Sequence, residues 1–142
     1  MDMVQIRPAD PNDNTQLQRL FEDVMFGATF PPPETGHVTD FGQATEGEKI
    51  FVAQAADGAI VGIVTIWEPD SFIHYLLVAG DRQRQGIGTC LLESLEAWLP
   101  LPWKLKCEVS NRRALAFYRT LGWTKIETGT GESGPYFLLL RE

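Results

Sequence analysis

Residues Gln83 to Gly88 read Gln-Arg-Gln-Gly-Ile-Gly. They lie between the apolar run Phe72-Ile-His-Tyr-Leu-Leu-Val78 and the leucine-rich run Thr89-Cys-Leu-Leu-Glu-Ser-Leu-Glu-Ala-Trp-Leu99. The first run reads as a strand and the second as a helix. A glycine-containing turn that opens a helix leaves backbone N–H groups without intrahelical partners. It aims them at one point, with the helix dipole behind them. Such a turn suits a phosphate or pyrophosphate. The first expectation is therefore a protein that holds a phosphorylated small molecule.

Residue spacing narrows the ligand. A triphosphate loop needs Gly-x-x-x-x-Gly-Lys-Ser/Thr, and the chain has no Gly-Lys pair. A dinucleotide fingerprint needs Gly-x-Gly-x-x-Gly/Ala. Gly86-Ile-Gly88 supplies its first half, but Leu91 stands at the third position. Glu108 does lie ~20 residues farther on, where a ribose-binding acid belongs. The strand, however, follows a hairpin and does not open a series of βαβ units.

The elements that must position this turn can be read along the chain. Val4–Arg7 alternates as a short strand. Asp13-Asn-Thr-Gln16 has the form of a capping box. Leu17, Leu20, Phe21, Val24 and Met25 then follow at helical spacing, with Gly27 as a stop. Residues 28 to 48 are irregular, with Pro31-Pro32-Pro33 stiff and extended and a short helix near Val38 to Ala44. They read either as a plain connector or as a loop over a binding site. Ile50–Gln54, Ala59–Trp67 and Phe72–Val78 form an antiparallel meander whose first turn is Asp57-Gly58. Leu91, Leu92, Leu95 and Leu99 share one face of the next helix, which Pro100 and Pro102 end. Trp103–Val109 alternates as a strand. Ser110 or Asn111 caps a helix to about Leu121, and Gly122 stops it. Two last strands, near Lys125–Glu127 and Tyr136–Leu140, flank Gly129–Gly134. The order is that of a mixed sheet with helices.

Composition sets the class. The 142 residues read as one domain, 1–142, 44% hydrophobic and 22% charged, ordinary for a globular protein. No apolar run approaches a membrane span. The N-terminus lacks signal-peptide regions, so a cytoplasmic location is expected. The net charge of −7 argues against nucleic acid and mildly favours a cationic substrate. Cys90 and Cys107 read as inert buried thiols. His37 and His74 stand far apart with no cysteine beside them, so no metal site is expected.

Two segments together carry a family resemblance. Gln83-x-x-Gly86-x-Gly88 resembles the Gln/Arg-x-x-Gly-x-Gly/Ala motif of the GNAT superfamily of N-acetyltransferases. Glu108-Val-Ser-Asn-Arg-Arg-Ala-Leu-Ala-Phe-Tyr-Arg-Thr-Leu-Gly-Trp123 resembles the second signature, an Asn, then Ala, Phe-Tyr and Leu-Gly-aromatic. Leu76-Leu-Val-Ala is similar to the strand before the first motif. The family often follows it with Pro and an Arg-Gly pair, where this chain has Gly80 and Gln83-Arg84. The first 50 residues carry no family motif. The resemblance implies an α+β fold with a mixed, mostly antiparallel sheet of six to seven strands and about four helices. Strands 72–78 and 103–109 would be splayed. It also implies acetyl-CoA as donor and a primary amine, small or on a peptide, as acceptor. A noncatalytic acyl-CoA-binding module is the alternative. A homodimer through exposed sheet edges is compatible with the pattern.

That chemistry sets three tasks. Pyrophosphate needs preorganised donors, which the backbone of Gln83, Arg84, Gln85, Gly86, Ile87, Gly88 and Thr89 would supply. Arg82 and Arg84 either add charge or are solvated loop arginines. The acetyl carbonyl must be held and polarised, by resemblance along the backbone of Leu76, Leu77 and Val78. Protons must also move. Neutralising an alkyl amine of pKa ~10.4 at pH 7 costs about 4–5 kcal/mol, so a base helps. The resemblance makes Tyr118 the acid for the departing thiolate. It ranks Glu108 first as base, although the Glu-to-Asn spacing is two residues shorter than in ribosomal-protein acetylases. His74 ranks second, and alternation places it and Tyr75 on opposite faces. Glu68 is a further candidate. Asn111 would cap its helix and contact the cofactor. Phe30, Trp67, Tyr75 and Tyr136 are expected to wall the acceptor pocket, with residues 28–40 and 129–134.

Overall fold

The computed structural model describes residues 4–27, 38–131 and 134–142. Its strands are β1 (Val4–Pro8), β2 (Lys49–Ala55), β3 (Ile60–Trp67), β4 (Phe72–Val78), β5 (Trp103–Glu108), β6 (Thr124–Gly131) and β7 (Gly134–Arg141). They form one sheet in the order β1-β2-β3-β4-β5-β7-β6. Only β4 and β5 are parallel neighbours; every other pair is antiparallel. Four helices accompany it: α1 (Asn14–Met25), α2 (Phe41–Ala44), α3 (Ile87–Ser94) and α4 (Arg112–Thr120). This is the mixed, mostly antiparallel α+β sheet that the resemblance implies. Among the described residues no helix is long and apolar enough to cross a membrane.

The sheet is covered on both faces, which explains why the Val61–Ile66 stretch of β3 is apolar nearly throughout. On one face Leu17, Leu20 and Phe21 of α1 and Phe41 of α2 pack on Val52, Ile63 and Leu77. On the other, Leu91, Leu92, Leu95 and Leu99 pack with Val64, Ile66, Trp103, Leu105 and Tyr118. The four leucines thus share the buried face that their spacing predicts. Asp57-Gly58 does turn β2 into β3, with the Asp57 carboxylate accepting from the Ala59 N–H at 3.0 Å. Cys90 departs from expectation: it is exposed on α3, while Cys107 is buried.

The start of α1 is also corrected. Asp13 precedes the helix, but its side chain makes no cap bond to it. Both carboxylate oxygens accept instead from the Arg7 guanidinium of β1, at 2.8 and 2.9 Å. A charged, bidentate donor wins over a neutral backbone N–H. The capping box lies one turn earlier, where Asp10 accepts from Asn12 N–H and Asp13 accepts from Asp10 N–H. Gln16, the expected partner, accepts from the Ile60 N–H at 3.0 Å, tying α1 to β3.

Asp13 is 5% exposed. The Arg7 hydrogen bonds hold its carboxyl below the usual carboxylate range, against the opposing effect of burial. Its pKa is therefore lower folded than unfolded. The pair stabilises the fold above pH about 4, and that contribution is lost as pH falls through the depressed value. Asp13→Asn is expected to cost about 2 kcal/mol at pH 7 and to flatten the acid limb of the stability profile. Urea denaturation at pH 7 and pH 3 measures both effects.

Candidate functional site

The site grows from an irregularity in β4. Thr65 of β3 pairs with Tyr75, and the next β3 residue, Ile66, pairs with Ile73. His74 is therefore an extra residue, a β-bulge. The Tyr75 N–H donates to the hydroxyl of the fully buried Thr65 at 3.0 Å. The bulge breaks the two-residue period. His74 and Tyr75 do not point to opposite faces as expected: their rings stack, with centroids 4.0 Å apart. Tyr75 also packs edge-on against Phe21 of α1 at 5.4 Å.

The bulge coincides with the parting of two strands. β4 and β5 pair only at Phe72–Lys104 and Ile73–Leu105. His74 is the first β4 residue beyond the last pair. A bulge bends its strand and sharpens the local twist, which turns β4 away from β5. β5 meanwhile stays paired with β7 along its whole length.

A cavity of ≈ 490 Å³ lies along the opened strand. Leu76, Val78, Gln83, Arg84, Gly86, Ile87, Gly88, Thr89, Asn111 and Tyr118 line it. Val24 of α1, from the helix on the opposite face, lines it too. Of the expected cofactor residues, only Leu77 and Gln85 fall outside the lining. Leu77 is buried beneath α1, as strand alternation requires, and Gln85 is exposed.

The two glycines of the turn serve different needs. Gly86 caps α3 at φ +82°, a left-handed conformation that side chains disfavour. Gly88 permits contact: a Cβ there would stand 3.3 Å from the Phe117 ring of α4. The first bond closing α3 runs from the Cys90 N–H to the Gly86 carbonyl. The N–H groups of Ile87, Gly88 and Thr89 lie ahead of it, the donor set an oxyanion needs. Arg82, Arg84 and Arg113 add positive charge at the same cavity. The Arg113 guanidinium donates to the Gln83 side chain at 3.3 Å, and the Gln83 amide donates to the Val78 carbonyl at 3.4 Å. The sequence reading missed Arg113, although it sits within the Asn-Arg-Arg segment.

Tyr118 is 8% exposed and packs on Phe117 and Trp123. Burial first, and the neighbouring Cys107 second, push its hydroxyl well above the ordinary tyrosine value. Burial likewise raises the Cys107 thiol to about 11. Both groups therefore carry their protons at neutral pH. Asn111 caps α4, its side chain accepting from the Ala114 N–H at 3.2 Å.

The two candidate bases differ in setting. Glu108 is exposed at the end of β5, opposite Tyr136. Its side chain has no ion pair or hydrogen bond among the described residues. His74 Nδ1 lies 2.6 Å from a carboxylate oxygen of Glu48, a residue that no motif singles out. Glu68 pairs with Lys49 at 3.3 Å. Trp67 is 40% exposed beside Gly47, next to Glu48. Tyr136 carries Lys106 over its ring, and Phe30 lies outside the described residues. A larger cavity, ≈ 900 Å³, opens on the α1/α2 face with Glu22 and Glu48 in its lining. Among the described residues it has no α3 N-terminus and only Arg19 as a cation, so they do not suit phosphate.

Thr65→Val keeps the shape but removes the acceptor of the Tyr75 N–H. The orphaned buried group is expected to cost about 1–3 kcal/mol. Chemical denaturation measures the loss, and amide hydrogen exchange should show faster opening at Tyr75.

Comparison with known proteins agrees with this geometry. The model of the acetyltransferase (GNAT) family matches residues 14–123. Among solved structures, a GCN5-related N-acetyltransferase from Rhodopseudomonas palustris superposes with a TM-score of 0.79 at 18% identity. The match covers 100% of this chain and 97% of that one. The ribosomal-protein-S18-alanine N-acetyltransferase of Escherichia coli superposes at 0.72 with 17% identity, over 97% of this chain and 92% of that one. Chaetomium thermophilum Naa20, solved with a bisubstrate analogue, gives 0.74 at 19% identity, over 97% and 86%. No curated protein matches in sequence. With both motifs and most of the chain inside the family match, the protein belongs to the GNAT family of acetyltransferases.

Proposed function

We propose that the protein transfers an acetyl group from acetyl-CoA to a primary amine by direct attack. One observation carries this reading: the α3 N-terminus, the open edge of β4 and the buried Tyr118 meet at one cavity. The free N–H groups of Ile87, Gly88 and Thr89 bind the pyrophosphate, and the nearby arginines offset its charge. The backbone of Leu76 to Val78 lies along the thioester arm and polarises its carbonyl.

The amine approaches from the α1/α2 face, where His74 stands at the parting of the strands. The larger cavity on that face, with Glu22 and Glu48, suits a cationic group before it is deprotonated. The ammonium first releases one proton to solvent, and His74 accepts a second from the nitrogen as the C–N bond forms. Tyr118 gives its proton to the sulfur as the C–S bond breaks, and then recovers one from solvent. A thiolate resembling cysteine, pKa ~8.5, is a better leaving group when protonated. His74 is favoured over Glu108 as base because it sits where β4 leaves β5 and has a partner that orients it.

Acceptors on peptides belong in the test beside small amines, since one structural neighbour is named for acetylating a ribosomal-protein alanine. Free-thiol release from acetyl-CoA across a panel of alkylamines and N-terminal peptides measures the activity. Tyr118→Phe is expected to lower kcat by roughly 10–100-fold while the melting-temperature rise given by acetyl-CoA persists. His74→Ala should fall by a similar factor, and Glu108→Gln should stay near wild type. Thermal stabilisation by acetyl-CoA with no thiol release from any amine would favour the noncatalytic binding module.

A further inference from the structure

We infer that Glu48 is a positioning residue that holds His74 in one tautomer and one ring orientation. The inference rests on the reading of His74 as base and extends it to a residue outside both family motifs.

Glu48 stands just before β2 and reaches across the β3 strand to the bulge in β4. One carboxylate oxygen, Oε2, lies 2.6 Å from His74 Nδ1. An ionised carboxylate only accepts hydrogen bonds. Nδ1 therefore carries the hydrogen, which in the neutral ring leaves the lone pair on Nε2. Nε2 has no hydrogen-bond partner among the described residues, and the His74 side chain is 37% exposed. The ring thus presents its accepting nitrogen outward. Two further contacts fix the plane: the stack on Tyr75 and the bulge that directs the side chain there.

The environment of Glu48 is not that of a surface ion pair. Its side chain is only 9% exposed. Its second oxygen, Oε1, is buried with no hydrogen-bond partner among the described residues. Leaving a buried carboxylate oxygen unmatched is unfavourable. The Asp13–Arg7 pair, by contrast, satisfies both carboxylate oxygens. Glu48 instead directs its one bond at the ring that faces the strand opening. A ring held this way needs no reorientation before it takes a proton.

The test separates this inference from the reading beneath it. Imidazole ¹⁵N spectra report the tautomer directly, with His74→Ala identifying the His74 signals. In the parent protein the Nδ1–H form should predominate. In Glu48→Gln, of equal shape, the amide can either accept from Nδ1–H or donate to Nδ1, so the spectrum should shift toward mixed tautomers. Glu48→Ala should shift it further. If both variants keep a pure Nδ1–H signal, the inference fails, whatever the turnover. In steady-state assays Glu48→Gln is expected to lower kcat by roughly 10–100-fold with the KM for acetyl-CoA unchanged. At saturating amine, the same change in the His74→Ala background should leave kcat unchanged, because Glu48 acts on turnover through that ring. An added loss in that background overturns the inference. Unchanged turnover in His74→Ala alone overturns the base assignment, and the tautomer result still decides whether Glu48 sets the ring.

Discussion

The functional architecture depends on β4 and β5 staying together for two residues and then separating. Parallel neighbours in a sheet normally continue side by side, because every buried backbone group needs a partner. Here one inserted residue, His74, bends β4 away at the point where pairing stops. The bulge is tolerated because Thr65 supplies a buried hydroxyl to the Tyr75 N–H. A break in the middle of a sheet thus becomes an opening lined by backbone. The α3 N-terminus stands beyond one end of it, and a histidine stands at its apex.

The two faces of the sheet divide the labour. The α3/α4 face carries the groups suited to an anion: a helix terminus, three arginines and a glycine close against Phe117. The α1/α2 face carries carboxylates and the His74–Glu48 contact. Opposite charges thus concentrate on opposite faces of the sheet. A chain with a net charge of −7 can still present a surface suited to an anion, because local donors outweigh the distant field.

Local patterns made much of the fold legible. The leucines of α3, the Asp57-Gly58 hairpin and the Asn111 cap are short-range features, and each appears where the spacing requires. Where reading failed, a distant partner intervened. Asp13 looks like a helix cap until Arg7 arrives from β1. Cys90 reads as buried among leucines, but it occupies the outer side of α3. His74 and Tyr75 would alternate if β4 were regular.

The chain by itself determined the element order and the glycine turn before α3. Both rest on contacts between residues close in sequence, where residue type and spacing suffice. Only the tertiary structure decided which distant groups meet at the strand opening. Glu48 and His74 are 26 residues apart, and no local rule joins them. Their contact exists because two strands align across a third and one of them carries an extra residue. Such long-range register depends on the packing of the whole sheet, which spacing along the chain does not encode.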